Sequence, residues 1–148
     1  MSSENVGRAT RIMSSLPLDD LAVAIRDPGR VEEMAATLES VVDPELEIVR
    51  VGPEYTGEGV SYRGLGGFLA FWRDWLEPWE SFSIETEEFL DAGDQVVQLA
   101  RQTGWTEAEG VPIESQGAAV MTFRDGVLSR IEFHLDRERA MKAAGLSE

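Results

Sequence analysis

Four apolar-rich segments in the second half of the chain follow one another with only short turns between them. They are predicted strands over Phe82–Leu90, Val96–Trp105, Ile113–Phe123 and Val127–Leu135. The gaps contain Gly together with Asp or Glu, as turns between strands do. A parallel pair of strands needs a crossover of a dozen or more residues, and these gaps are too short for one. The pattern therefore predicts an antiparallel meander, which limits the fold more than any other feature.

The first part of the chain is predicted to be helical. Residues 5–42 carry apolar residues at spacings of three and four, and Pro28-Gly29 divides them. Asp27 is expected to cap the helix that begins there, with Pro28 in its first turn. Asp43-Pro44 is expected to end that helix, because the residue before proline avoids helical backbone angles.

The remaining elements complete a mixed α+β domain. A strand is predicted at Glu45–Val51, with Leu46 and Ile48 on one face, and a helix at Leu65–Glu77. A short helix is expected at Asp136–Leu146. At 148 residues the chain suits a single domain, which we take as 1–148.

Composition excludes several function classes. The chain has no cysteine and one histidine, which removes thiolate zinc sites, iron–sulfur clusters and cysteine nucleophiles, so no metal and no cofactor are predicted. The net charge of −15 disfavours nucleic-acid binding, which depends on lysine and arginine. No window reaches the roughly 20 apolar residues of a spanning helix, so no membrane partner and a cytoplasmic location are expected.

Arg101 has the most unusual predicted position. If the first hairpin turn is centred on Ala92-Gly93, Ile84 lies opposite Arg101, on the same core-facing side as Val97 and Leu99. Two interpretations follow. Arg101 either binds the anionic or oxygen-rich end of a ligand, or has a structural role, in which it pairs with a buried acid or extends its charged end to the rim.

Several short motifs resemble one family in order and spacing. The first three are Asp43-Pro44-Glu45, Tyr62-Arg63-Gly64 and Asp91-Ala92-Gly93-Asp94. A longer one runs from Thr122 to Ile131, with Asp136-Arg137 and Ala143-Ala144-Gly145-Leu146 after it. Together they resemble the SnoaL-like (polyketide cyclase-like) branch of the NTF2-like superfamily. The likeness covers residues 30–146 and leaves 1–29 as an N-terminal helical extension.

The resemblance implies an NTF2-like cone, in which N-terminal helices pack on a curved, mostly antiparallel sheet that encloses an apolar pocket. Members include isomerases, epoxide hydrolases, polyketide cyclases and non-catalytic modules, so the fold does not select a reaction. The ketosteroid isomerase carboxylates would fall near Val49 and Ala119. The limonene epoxide hydrolase set would fall on Arg101, Thr103 and Phe133. These positions lack the carboxylates that either reaction needs, so neither activity is expected.

Other candidates have simpler interpretations. By alternation His134 lies on the outer sheet face, as a surface or interface residue. The Gly64-Leu65-Gly66-Gly67 run lacks the residues of a phosphate-binding loop. Glu85, Glu87 and Glu88 are expected to form a solvated face, not a cation site. The aromatic residues Trp72, Trp75 and Trp79 are typical of a core.

We therefore predict a SnoaL-like small-molecule-binding protein whose ligand is apolar or amphipathic. The expected ligand-binding residues are Arg101, Trp72, Thr103, Ile131, Phe133 and Tyr55. One alternative is an isomerase, cyclase or hydrolase that uses other carboxylates, such as Asp43 or Asp74. The other is a non-catalytic dimerisation module. A homodimer is expected in either case, through an outer-face patch with Leu128, Arg130, Glu132 and His134.

Overall fold

The computed structural model describes residues 2–51 and 60–146, and within these ranges it contains five helices and six strands. The helices are α1 (Ser2–Ser14), α2 (Leu21–Ile25), α3 (Pro28–Leu38), α4 (Gly64–Leu76) and α5 (Arg137–Ala143). The strands are β1 (Val42–Val51), β2 (Val60–Arg63), β3 (Ser81–Ala92), β4 (Gln95–Trp105), β5 (Ile113–Arg124) and β6 (Val127–His134).

The six strands form one curved, unclosed sheet in the order β2-β1-β6-β5-β4-β3. Strands β3 to β6 pair antiparallel in sequence order, which confirms the predicted meander. β1 lies parallel to β6 and antiparallel to β2. The prediction missed β2 as a strand, and it carried the helix before β1 too far, since that helix ends at Leu38.

The main core lies between the inner face of the sheet and helices α1 to α4. Leu46, Ile48, Met121 and Ile131 point into it from the sheet and are fully buried. Asp27 caps α3 as predicted, because its carboxylate accepts hydrogen bonds from the backbone N–H groups of Gly29 and Arg30. α5 covers part of the outer face, where Ala140 packs with Val97 and Val120 in a second, smaller core.

The predicted register of the β3–β4 hairpin is wrong by two residues at the turn. Ala92 pairs with Gln95, so the loop consists of Gly93 and Asp94, and Gly93 has φ +80°. Glycine at the first position of a two-residue loop suits the type II′ turn, whose twist matches the strands. The register changes again at a bulge between Thr86 and Glu88, so Glu85 instead of Ile84 lies opposite Arg101. Because this net difference is a single residue, Arg101 and Thr103 lie on the outer face and not on the inner one.

Leu128 also lies elsewhere than predicted. The β5–β6 register changes between Thr122, which pairs with Arg130, and Phe123, which pairs with Leu128. The extra residue in β6 is Ser129, so a bulge reverses the alternation there. Leu128 is consequently buried in the main core, and the predicted outer-face patch keeps only Arg130, Glu132 and His134.

Among the described residues, no helix is long and apolar enough to cross a membrane.

Candidate functional site

A small cavity lies between α4 and the inner face of the sheet. Its volume is about 30 Å³, room for one or two water molecules. It is lined by Arg50, Phe71, Trp72, Trp75, Ile84, Gln98, Ala100, Gln102, Ala118, Ala119, Phe133, His134 and Leu135. A larger ligand would enter only if side chains of this set moved apart.

Strand alternation explains how the sheet supplies its part of the lining. Leu46, Ile48 and Arg50 follow one another on one face of β1, and Arg50 pairs with Phe133 of β6. On β4 the inner positions are Gln98, Ala100 and Gln102. The polar residues of the described lining are therefore Arg50, Gln98, Gln102 and His134, and the others are apolar.

Aromatic rings form the wall opposite the sheet. The α4 residue Phe71 stacks on Phe133, with ring centroids 4.6 Å apart and planes at 13°. Trp72 meets Phe133 edge to face at 5.5 Å, and Trp75 stacks with Phe71 at 6.2 Å. Such ring pairs fix the side chains relative to one another, because offset and edge-to-face contacts are favoured.

The polar atoms of the cavity are mainly hydrogen-bond donors. The Arg50 guanidinium carbon lies 4.8 Å from the centroid of the Trp75 ring and 5.9 Å from that of Phe71, distances typical of cation–π contacts. The indole Nε1 atoms of Trp72 and Trp75 are buried and have no hydrogen-bond partner among the described residues. Gln98 donates to Thr86 Oγ1 at 2.8 Å.

Tyr62 and Asp74 lie beside the cavity. The Tyr62 hydroxyl donates to Asp74 Oδ2 at 2.6 Å, and the Tyr62 ring meets Phe71 edge to face. Burial raises the pKa of the Tyr62 phenol, its interaction with Asp74 adds to that shift, and the Arg50 guanidinium opposes it. Asp74 is exposed and does not line the cavity. Asp43 instead accepts a hydrogen bond from the backbone N–H of Glu45 in a turn.

The structure brings together some of the predicted site residues and separates others. Trp72 and Phe133 line the cavity, and Ile131 lies buried in the core beside it. The predicted cavity position of Arg101 is wrong: its side chain is 43% exposed on the outer face and binds Glu85 at 2.5 Å. Thr103 also faces outward, opposite Ser83 and Glu114. Tyr55 lies outside the described residues.

Sequence reasoning missed Arg50, Trp75, Gln98 and Gln102 as lining residues. A signal for Arg50 was present, because it continues the alternation of Leu46 and Ile48 on a strand that was predicted correctly. The same alternation shows that Val49 faces outward, opposite Glu132. Val49, near which the resemblance places an isomerase carboxylate, therefore does not face the cavity, and its inner neighbours Ile48 and Arg50 carry no carboxylate.

The outer face carries a chain of ion pairs. Arg130 binds Glu47 at 2.5 Å and Glu132 at 2.9 Å, and His134 Nε2 lies 3.0 Å from Glu132 Oε1. His134 thus contacts an outer-face residue, but it is only 5% exposed and also lines the cavity, so its predicted surface position is wrong. The hydrogen bond with His134 lowers the pKa of the Glu132 carboxyl, burial opposes this shift, and Arg130 adds to it.

The described ranges hold no group of three or more His, Asp or Glu side chains that could bind a metal ion. The described residues of the cavity lining include neither Asp nor Glu. General acid–base catalysis commonly uses a carboxylate close to the reacting group. The arrangement can therefore bind a ligand through an apolar surface and several donors.

A model of the SnoaL-like domain family matches residues 24–131. Similar solved structures include TerC co-crystallised with polyporic acid, at 19% identity and TM-score 0.64 over 96% of this chain and 98% of that one. An NTF2-like protein from Burkholderia xenovorans LB400 has 18% identity and TM-score 0.60, with 97% of each chain covered.

A third structure, from Catenulispora acidiphila, has a ketosteroid isomerase-like fold and is in complex with trimethylamine; identity is 14% and TM-score 0.58 over 84% of this chain and 88% of that one. No curated protein matches the chain. At these identities the structural likenesses establish the fold alone.

Proposed function

This chain belongs to the SnoaL-like domain family, and on that premise we propose that it is a small-molecule-binding protein that holds an apolar or amphipathic ligand in the cavity beside α4. Family membership supports a small-molecule role, but it does not choose between binding and catalysis. The choice rests on the residues of the cavity itself.

The observation that carries the proposal is the pair of buried indole N–H groups. Trp72 and Trp75 each bury Nε1 where no described residue accepts a hydrogen bond from it. A buried donor without an acceptor costs about 1–3 kcal/mol. A ligand oxygen in the cavity would remove that cost, so the site favours a molecule that presents an acceptor to α4.

The lining supports binding more than catalysis. Aromatic and aliphatic side chains supply apolar surface, as in most small-molecule sites. The carboxylate beside the site, Asp74, is engaged by the Tyr62 hydroxyl outside the lining. The structural relatives crystallised with polyporic acid and with trimethylamine show that this fold accepts chemically different ligands. The ligand class must therefore be inferred from this chain's own residues.

The test is titration with prodan, a neutral naphthalene dye that carries a carbonyl acceptor and brightens in apolar surroundings. The wild-type protein is expected to bind it, and Ala119→Leu is expected to abolish binding by filling the cavity. Thr103→Leu is the matched control, because it adds the same side chain to the outer face of the neighbouring strand. Equal binding by all three proteins, or no binding by the wild type, would contradict the proposal.

We also propose that the protein forms a homodimer through the outer-face patch of Arg130, Glu132 and His134. Mixed charges suit a self-complementary surface around a two-fold axis. Light scattering at micromolar concentration is expected to give twice the chain mass, and a monomer would contradict it.

A further inference from the structure

We propose that His134 accepts a hydrogen bond from a hydroxyl group of the ligand, and that the ligand is therefore an apolar molecule with both a carbonyl and a hydroxyl group. The inference rests on the proposed function, and it adds the chemical class of the ligand and a residue that selects it. It depends on three observations: where His134 lies, which of its ring nitrogens is engaged, and which polar atoms the α4 side of the cavity presents.

His134 lies at the end of a strand, beside the rim of the cavity. β6 ends at His134, and the three successive residues Phe133, His134 and Leu135 all line the cavity. His134 is only 5% exposed, whereas Leu135 is 38% exposed. A lining residue that also reaches solvent marks the rim of a cavity, so His134 is the buried residue next to that rim.

One ring nitrogen of His134 is engaged by the chain. Nε2 lies 3.0 Å from Glu132 Oε1. The pKa of the Glu132 carboxyl is lowered, first by this hydrogen bond, so the group is ionised at neutral pH and can only accept. Nε2 therefore carries the ring proton, and in the neutral imidazole the other nitrogen, Nδ1, is an acceptor. Arg130 contacts the same carboxylate at 2.9 Å, which helps to fix the ring.

The Nδ1 atom of His134 lacks a donor. It is buried and has no hydrogen-bond partner among the described residues. A buried acceptor in this state has lost its hydrogen bond with water without a replacement, which is unfavourable. A ligand hydroxyl would supply the missing donor. It also suits a position near the rim, because its oxygen can still accept a hydrogen bond from solvent.

The α4 side of the cavity presents the opposite polarity. The indole Nε1 atoms of Trp72 and Trp75 are buried donors without an acceptor among the described residues. A hydrocarbon ligand would leave these donors and His134 Nδ1 without partners, and a ligand with acceptors alone would still leave Nδ1 without one. A carbonyl oxygen toward α4 together with a hydroxyl toward the end of β6 satisfies both sides.

The experiment compares 6-acetyl-2-naphthol with 2-acetyl-6-methylnaphthalene as competitors of prodan at neutral pH. The two probes share the ring system and the ketone, and a methyl group has nearly the size of a hydroxyl group but cannot donate. On the wild-type protein the naphthol is expected to displace prodan at a concentration at least about fivefold lower, within the range of one hydrogen bond.

Two variants distinguish the ring nitrogens of His134. His134→Gln keeps an amide group where Nε2 meets Glu132 and has no polar atom in place of Nδ1, so the ratio between the probes should fall to about one or below. His134→Asn has an oxygen close to the position of Nδ1 and loses the contact with Glu132, so it should retain part of the preference. Arg101→Met is the outer-face control and should keep the wild-type ratio.

The outcomes separate this inference from the proposed function. Prodan binding without a preference for the naphthol in the wild type would overturn the hydroxyl and leave the binding function standing. A full preference in His134→Gln would overturn the role of His134. If His134→Gln does not fold, the imidazole ¹⁵N spectrum of the wild type decides, because the chain has one histidine. Its Nδ1 signal should move upfield with the naphthol and not with the methyl probe, and an unmoved signal would overturn the role of His134.

Discussion

The two faces of the sheet use polar residues in opposite ways. On the outer face Arg101, Arg130 and Arg137 bind Glu85, Glu47 and Glu87, so their charges are matched within the chain. On the inner face the indole N–H groups of Trp72 and Trp75 have no acceptor among the described residues, and no described carboxylate lines the cavity. Charged groups that pair within the chain stabilise the fold, whereas buried donors without a described acceptor are suited to binding a ligand.

The largest effect should come from the rings behind the inner face. Phe71 is almost fully buried and contacts Phe133, Trp72 and Trp75. Phe71→Ala is expected to lower the free energy of unfolding by about 3–5 kcal/mol, because it removes apolar contacts and leaves a void. Denaturant titration measures this loss. Trp105→Ala, at a residue 37% exposed, is the control; an equal loss there would remove the distinction between the faces.

The second-largest loss of stability is expected when the ion pairs of the outer face are disrupted. The Glu132 side chain is 16% exposed and touches both Arg130 and His134. Glu132→Gln keeps the shape and removes the charge, so the free energy of unfolding at pH 7 should fall by about 1–3 kcal/mol. Glu85→Gln, whose side chain is 67% exposed, is the matched control and should change little.

The difference in free energy of unfolding between the wild type and Glu132→Gln should depend on pH, and the direction of this dependence can be predicted. The pKa of the Glu132 carboxyl is lowered in the folded protein, first by His134. A lowered pKa stabilises the fold above the unfolded-state value of 4.5. The difference between wild type and Glu132→Gln should therefore be full above about pH 5 and shrink as the pH falls below about 4.5. A difference that grew on acidification would show that the network is not a stabilising one.

The smallest effect is expected for Arg101. Its pKa is raised mainly by the hydrogen bond with Glu85, yet both side chains are exposed, where such pairs contribute little. Arg101→Met should leave the melting temperature and prodan binding unchanged. A loss of binding in a folded Arg101→Met protein would return this residue to the site and reverse the assignment of the two faces.

Strand and helix positions could be predicted because they depend on local patterns. The alternation of Leu46 and Ile48 and the Asp27 cap each express a short-range rule, and the structure confirms them. Register depends on which two residues form the turn. Asp91 to Asp94 allow two choices that differ by one position, and only tertiary packing selects Gly93-Asp94. The turn alters the pairing by two residues and the bulge at Glu87 reverses one of these, and the remaining odd residue places Gln98 and Gln102 at the cavity in place of Arg101.

The remaining differences arise from a bulge and from contacts between elements that simple alternation does not describe. The bulge at Ser129 turns Leu128 into the core, although simple alternation places it beside Arg130. Arg50 was not predicted as a site residue. Its position depends on the Phe71 and Trp75 rings of α4, which contact it in space but are separated from it in the sequence. An arginine at the cavity was expected, but the residue that occupies the position differs.

The most direct test of the difference between the two faces follows the indole N–H signals of the four tryptophans in a ¹H–¹⁵N NMR spectrum during titration with prodan. Trp72 and Trp75 line the cavity, while Trp79 packs on Gly104 and Trp105 is exposed. Single Trp→Phe variants assign the signals. The account predicts that the Trp72 and Trp75 signals shift downfield as they gain an acceptor and that the Trp105 signal stays in place. A shift of Trp105 alone, or of no indole at all, would contradict it.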